Sequence, residues 1–269
     1  MTIERSAHPP TDEAPPQPHA PWSGTLPFRQ YREPFYPEFF QKAAATLGLN
    51  GTELLLDLGC GTGRIALGFA PYVRTLVGVD TELPMLERAG REAARQAIPI
   101  RLIHASVEKF HFDEFKFDCA TLGNIHWWLD REQTHQVLNH LLSETGKVFI
   151  CTALPLYDED TTPWLTEFLA VRRRWNNFDY TPTALQPEAF MQGSSFDLES
   201  KVLHTAAARV PVDHLVKRAL GYHPTSPDVL GDRVSAFADE IRTSLRPFAD
   251  SQGLMIDKCY NMGTIFRRR

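Results

Sequence analysis

Cysteine is scarce in this chain, with four in 269 residues, at positions 60, 119, 151 and 259, and no pair at CxxC spacing. That scatter excludes a disulfide scaffold. Cys119, Cys151 and Cys259 lie in apolar stretches and Cys60 in a glycine loop, the pattern of buried, reduced thiols in a cytoplasmic protein. Long apolar runs are missing as well. No stretch approaches the roughly 18 uninterrupted apolar residues that a membrane-spanning helix needs. Met1 to Pro27 carries charges and prolines where a secretion signal would hold an apolar core. Nor is there an excess of basic residues. Lys+Arg number 28 against 33 Asp+Glu, and the formal charge of −5 argues against nucleic acid as a partner.

What is present is an ordinary globular balance, 43% hydrophobic, 23% charged and 11% aromatic, at a length that suits one large α/β domain with an elaborated cap. Seven of the 20 prolines fall in the first 27 residues. Residues 1–26 therefore read as a disordered tail, too poor in large apolar side chains to offset the entropy of ordering. Residues 27–269 read as one domain. Pro37 suits a first helical turn, Phe39, Phe40, Ala43, Ala44 and Leu47 follow at helical spacing, and Gly48 supplies a stop. This makes 27–52 a lid helix ahead of the core.

From residue 53 to 153 short apolar runs alternate with helical stretches. Strands are expected at Leu54–Leu58, Thr75–Val79, Arg101–His104, Phe117–Leu122 and Gly146–Ala153, with a helix at Pro84–Gln96 and another capped by Asp130 with Gln133. Strands separated by helices imply crossovers and a parallel sheet. After Ala153 the rhythm changes to a helix at Thr162–Trp175, a strand at Phe196–Thr205, an amphipathic helix marked by Val234, Phe237, Ile241, Leu245 and Phe248, and a final strand over Met255–Phe266. Segments 154–195 and 206–250 read as a substrate cap. The expected fold is a Rossmann-like, doubly wound sheet of seven mostly parallel strands, with the last one antiparallel and a helical cap.

The stretch Leu54-Leu-Leu-Asp57-Leu-Gly59-Cys-Gly61-Thr-Gly63-Arg64 carries the chemistry. Glycines after a buried strand let the backbone turn and approach a ligand that a Cβ would exclude. The spacing is DxGxGxG. Arg64 stands where a dinucleotide fingerprint needs its third glycine, and the GxxxxGK[ST] of a P-loop is absent. An acid two residues before the first glycine would repel a pyrophosphate but suits an ammonium group. A second acid, Asp80, ends Val77-Gly-Val-Asp80, where a carboxylate usually meets ribose hydroxyls. A ribose, an ammonium and no phosphate describe S-adenosylmethionine.

LLDLGCGTGR, then VGVD followed by Met85-Leu86-x-x-Ala89, closely resembles the nucleotide half of class I S-adenosylmethionine-dependent methyltransferases, most strongly over residues 53–153. His126-Trp127-Trp128-x-Asp130-Arg131 resembles in particular the small-molecule branch that includes quinone-type methyltransferases. The resemblance implies cofactor contacts from Asp57, Gly59, Gly61, Gly63, Asp80, Thr81 and Met85. It implies others from Ser106 and Val107 after the third strand, where relatives often carry Asp-Ala or Asn-Ala, and from Asn124 at the end of the fourth. Ahead of the core, the segment from Phe28 to Pro37 resembles one that folds over the cofactor in many relatives. There Tyr31 or Arg32 would meet the methionine carboxylate, and the planar guanidinium fork suits that anion.

Methyl transfer from a sulfonium asks mainly for alignment and dryness, with a general base where the acceptor is acidic. His126, just past the fourth strand, and Tyr157, past the fifth, are the catalytic candidates. A structural histidine against Trp127 or Trp128 is the competing reading. Asp158, Glu159 and Asp160 follow Tyr157, but consecutive acids on a loop diverge, so no metal is expected. Tyr222 and His223 could line an acceptor pocket. Arg172–Arg174 and Arg267–Arg269 read as solvated faces. The expectation is a small organic acceptor, no nucleic acid or membrane, and a monomer or homodimer. Two alternatives keep the cofactor: attack on its methionine chain, releasing methylthioadenosine, and a non-catalytic cofactor-binding scaffold.

Overall fold

A computed structural model describes residues 4–5, 22–175 and 186–269. The chain begins with the two-residue strand Glu4–Arg5 (β1), a 3-10 helix Trp22–Tyr31, and helix Pro37–Leu47 (α1). Next come Leu54–Leu58 (β2), Arg64–Phe69 (α2), Thr75–Asp80 (β3), Leu83–Arg95 (α3), Arg101–His104 (β4), Phe117–Gly123 (β5), Arg131–Leu141 (α4) and Leu142–Pro155 (β6). The remainder is Trp164–Trp175 (α5), Pro187–Met191 (α6), Phe196–Pro211 (β7), Val212–Leu220 (α7), the single turn Pro227–Leu230 (α8), Val234–Leu245 (α9) and Leu254–Arg268 (β8).

The strands lie in the order β1-β4-β3-β2-β5-β6-β8-β7. Pairing is parallel from β1 to β6, and β8 runs antiparallel between β6 and β7. Apart from the short β1, this is the expected seven-stranded, doubly wound sheet with its last strand antiparallel. Alternate residues of the buried strands feed opposite faces. Leu55, Leu76, Cys119 and Phe149 pack under α1 and α2. Leu56, Val77, Ala120, Val148 and Ile150 pack under α4 and α6. On the first face Phe40 meets Phe69 edge-on at 5.1 Å, and Phe69 meets Phe149 at 5.6 Å. Each such ring stabilises the fold by about 1.5–3 kcal/mol through burial. A separate core formed by α5, α7 and α9, with Val210 and Met255, makes the cap. All four cysteines are buried and free.

The structure corrects several expectations. Residues 22–26, assigned to the tail by composition, begin the first 3-10 helix, with Thr25 buried and its hydroxyl donating to the Trp22 carbonyl at 2.7 Å. Glu4 and Arg5 pair with Ile103 and His104. The rest of the expected tail, and residues 176–185 of the expected cap, lie outside the described residues. β7 continues to Pro211, so residues 206–211 belong to the sheet rather than the cap. Phe248, expected on the apolar face of α9, lies beyond that helix and is exposed.

Candidate active site

The chain leaves β2 for β3 and β4 on one side and returns to pair β5 on the other, so the carboxyl end of β2 is the topological switch point where open α/β sheets take ligands. The glycine loop sits there. Gly59, Gly61 and Gly63 have φ of +67°, +53° and +80°, left-handed conformations that side-chained residues avoid. A Cβ on Gly61 would meet nothing within 4 Å, whereas one on Gly59 would fall 2.0 Å from Ile125 Cδ1. Gly61 therefore presents bare backbone to open space.

Asp57, expected from the sequence to face an ammonium group, lies behind this loop at 1% exposure. One carboxylate oxygen accepts from the Ala66 N–H at 3.1 Å, capping the first turn of α2, and the other accepts from the Thr121 hydroxyl at 2.7 Å. Burial raises its pKa to about 7, against the pull of those two hydrogen bonds. Asp80 stands at the tip of β3. Its oxygens accept from the N–H groups of Gly61 at 2.7 Å and Glu82 at 2.9 Å. Burial raises this carboxyl too. Each oxygen keeps a further lone pair for a hydroxyl donor.

The other expected contacts gather unevenly around this edge. Met85 and Val107 are buried in the wall beside it, and the Thr81 carbonyl is taken by His104 Nε2 at 2.8 Å. The Ser106 hydroxyl donates to Glu108 at 2.5 Å. Asn124, at φ +56°, holds a left-handed turn at the end of β5, where its side-chain oxygen accepts from the Thr152 hydroxyl. His126 is 3% exposed, with its ring 4.7 Å from Trp127 and 5.6 Å from Phe190. Tyr157 is 54% exposed, beyond the end of β6. The two catalytic candidates thus sit in opposite environments. The neighbouring acids do not converge: Asp158 caps its own turn through Thr161 N–H at 2.9 Å and pairs with Lys258 at 2.7 Å.

The first 3-10 helix covers the site. Trp22 packs edge-on to Trp128 at 5.3 Å and against His223 at 4.6 Å, and its backbone hydrogen-bonds the Glu82 carboxylate. Arg29 reaches the field of Asp80. The Arg29 Nε is buried without a partner among the described residues, and burial lowers that guanidinium to about 9. Tyr31 turns toward the cap, its ring 5.2 Å from His214 and its carbonyl accepting from Arg218 Nε at 2.9 Å. Arg32 donates to Glu33 and to the Gly221 carbonyl, each at 3.3 Å.

Glu33, Arg218 and Asp257, which nothing in the sequence singles out, join Arg64, Tyr222 and Arg172 in tying this cover to the loop and the cap. Arg64 donates to the Glu33 carbonyl at 2.5 Å, and the Glu33 carboxylate accepts from the Tyr222 hydroxyl. Burial alone would raise Glu33, but Arg32, Arg218 and Tyr222 outweigh it and hold the group at about 2. Arg218 and Asp257 form a buried two-bond pair at 2.8 and 2.5 Å. Arg172 is not on a solvated face, as its run of arginines suggested. Its guanidinium lies 3.6 Å from the Tyr222 ring centre, while Arg173 and Arg174 are exposed. The signal was available: Trp164, Phe168 and Arg172 share one helical stripe.

These residues fit S-adenosylmethionine. Gly61 offers backbone approach, Asp80 a hydroxyl acceptor, and the cover an unsatisfied guanidinium N–H for an anionic group. Residues 55–146 match the family model described as a methyltransferase domain. Over 132 residues the chain is 33% identical to a ubiquinone/menaquinone biosynthesis C-methyltransferase from Citrifermentans bemidjiense, an alignment covering 47% of this chain and 53% of that one. The chain thus spans about half the length of the curated relatives it matches. Among solved structures, it superposes on the YcgJ protein from Bacillus subtilis with a TM-score of 0.55 at 16% identity, covering 87% of this chain and 99% of that one. A methyltransferase from Thiobacillus denitrificans, in complex with S-adenosylhomocysteine, gives 0.54 at 18% identity, covering 92% and 98%. Residues 55–146 are thus similar to a methyltransferase domain, set in a fold that the chain shares with these solved structures.

Proposed function

We propose that this chain transfers the methyl group of S-adenosylmethionine to a small organic acceptor by in-line displacement, in the cytoplasm, without nucleic acid or membrane as partner. The observation that carries the reading is the joined unit of Gly61 and Asp80 beneath the Trp22–Tyr31 cover. When bound, the cofactor supplies a methyl group on a sulfonium, a leaving group that needs no acid. Asp80 would take the ribose hydroxyls, and Gly59, Gly61 and Gly63 would line the methionine side. Thr81, Met85, Ser106 and Val107 would flank adenine, with Asn124 beside the methionine moiety. Asp57 acts through the loop it holds. Arg32 and Tyr31 belong to the cover, which excludes water and so strengthens every polar contact below it.

A packing role for His126 is supported by its burial between Trp127 and Phe190. The exposure of Tyr157 fits a position at the rim rather than a base held against the acceptor. Catalysis then rests on alignment and exclusion of water.

Product analysis tests the reading. Incubation of the purified chain with S-adenosylmethionine and a library of phenols, amines and organic acids should release S-adenosylhomocysteine. Methylthioadenosine as the product, or no turnover across the library, would overturn it.

A further inference from the structure

Arginines accumulate where the cover meets the cap, and the cofactor reading leaves one of them without a task. Arg32, Arg64 and Arg172 come from the cover, the glycine loop and α5, and the carboxylate they share is Glu33. Arg218 is matched by Asp257. Arg218 Nε also lies 4.0 Å from the Glu33 carboxylate, so four guanidiniums act on it. Arg32 also bonds the Gly221 carbonyl and Arg64 the Glu33 carbonyl. Arg172 differs. It rests on the Tyr222 ring at 3.6 Å and near Phe168 at 5.7 Å, and its Nε is buried with no hydrogen-bond partner among the described residues.

A desolvated guanidinium with an unsatisfied N–H is unfavourable, and a planar anion that accepts from its fork relieves it best. Burial lowers the Arg172 pKa in keeping with that environment. The contacts lead from the glycine loop through Arg64, Glu33 and Tyr222 to Arg172, which puts this unpartnered Nε on the cap side. His223, next in sequence to Tyr222, packs on Trp22, and Trp22 on Trp128, forming an aromatic wall.

We propose that Arg172 is the binding residue for a carboxylate on the methyl acceptor, so that the substrate class is a flat organic acid. The inference rests on the methyl-transfer reading above. The same carboxylate chemistry could come from the methionine end of the cofactor, and the test separates the two sources.

The intact protein, saturated with S-adenosylhomocysteine, is titrated calorimetrically with benzoate and with benzamide, its neutral counterpart. Benzoate is expected to bind about tenfold more tightly, and Arg172→Gln to remove that preference while leaving S-adenosylhomocysteine affinity within about twofold. Equal binding of the two probes, no benzoate binding, or a preference that survives Arg172→Gln overturns the proposal. So does a variant that loses S-adenosylhomocysteine but keeps 5′-methylthioadenosine, which lacks the carboxylate, because the anion then belongs to the cofactor. Should Arg172→Gln fail to fold, Arg172→Lys keeps the charge without the fork. It is expected to bind benzoate about fivefold more weakly than the wild type, and equal affinity overturns the assignment. Failure of the wild type to bind S-adenosylhomocysteine would instead refute the methyl-transfer reading itself.

Discussion

The backbone N–H of Gly61 donates to Asp80 Oδ2 at 2.7 Å, joining the loop after β2 to the acid that ends β3. The Glu82 N–H holds the other oxygen at 2.9 Å. Loop and acid therefore form one unit whose two parts fix each other, while Asp57, from behind, fixes the loop to α2 and β5.

Gly61→Ala separates space from stability. The added Cβ meets no protein atom within 4 Å, so the fold bears only the strain of a side chain at φ +53°, about 1 kcal/mol. Thermal unfolding should drop by only a few degrees. S-adenosylhomocysteine affinity should fall by about tenfold or more if, as proposed, the ligand lies in that open space against the bare backbone of Gly61. Unchanged affinity would place the ligand elsewhere.

Asp57 gives the fold a pH dependence of known sign. Its folded pKa, about 7, lies above the ordinary aspartate value near 4. Its contribution to stability is therefore fully present below about pH 4 and is lost as pH rises through about 7. Urea unfolding at several pH values should show the wild type losing stability relative to Asp57→Asn across that window. A difference that stays constant with pH would contradict the buried placement.

The Arg218–Asp257 pair should be costly to break and cheaper to replace. With both groups buried, Arg218→Met or Asp257→Leu alone strands a charge and should destabilise by about 3–5 kcal/mol, whereas the double variant should lose less than either single one. A double-mutant cycle from urea unfolding measures this. Additive losses would mean the two side chains do not act as a pair.

Trp22→Ala tests the cover. The substitution removes the contacts with Trp128 and His223, and the account expects S-adenosylhomocysteine to dissociate about fivefold faster with the association rate little changed. Stopped-flow fluorescence reads both rates. Identical dissociation would detach residues 22–31 from the site.

The sheet was legible because its strands are buried on both faces. Leu54–Leu58 and Arg101–His104 fall where the apolar runs lie, and the glycine spacing placed the loop at the switch point. Strand ends were harder to read. β6 begins at Leu142, which pairs with Phe117 of β5, and β7 runs on to Pro211 through polar and alanine residues because it is held by pairing with β8 rather than by its own apolar content. The cover was placed only in part: Phe28 to Pro37 was expected to fold over the cofactor, but residues 22–26 went to the tail on composition although they begin the 3-10 helix and Thr25 is buried.

Charge concealed the rest of the site. Arg172 and Arg218 look like surface residues in sequence, and only tertiary contacts with Tyr222 and Asp257 turn them inward. Asp57 shows the converse: the spacing located it correctly, but its task toward Ala66 and Thr121 depends on which way the buried carboxylate points.

Calorimetric titration with S-adenosylmethionine tests the central claim most directly. The wild type should bind one equivalent at about micromolar Kd, and Asp80→Ala should weaken binding by about tenfold or more, while its melting temperature shows that the fold persists. No binding by the wild type, or equal binding by a folded Asp80→Ala variant, would contradict the account.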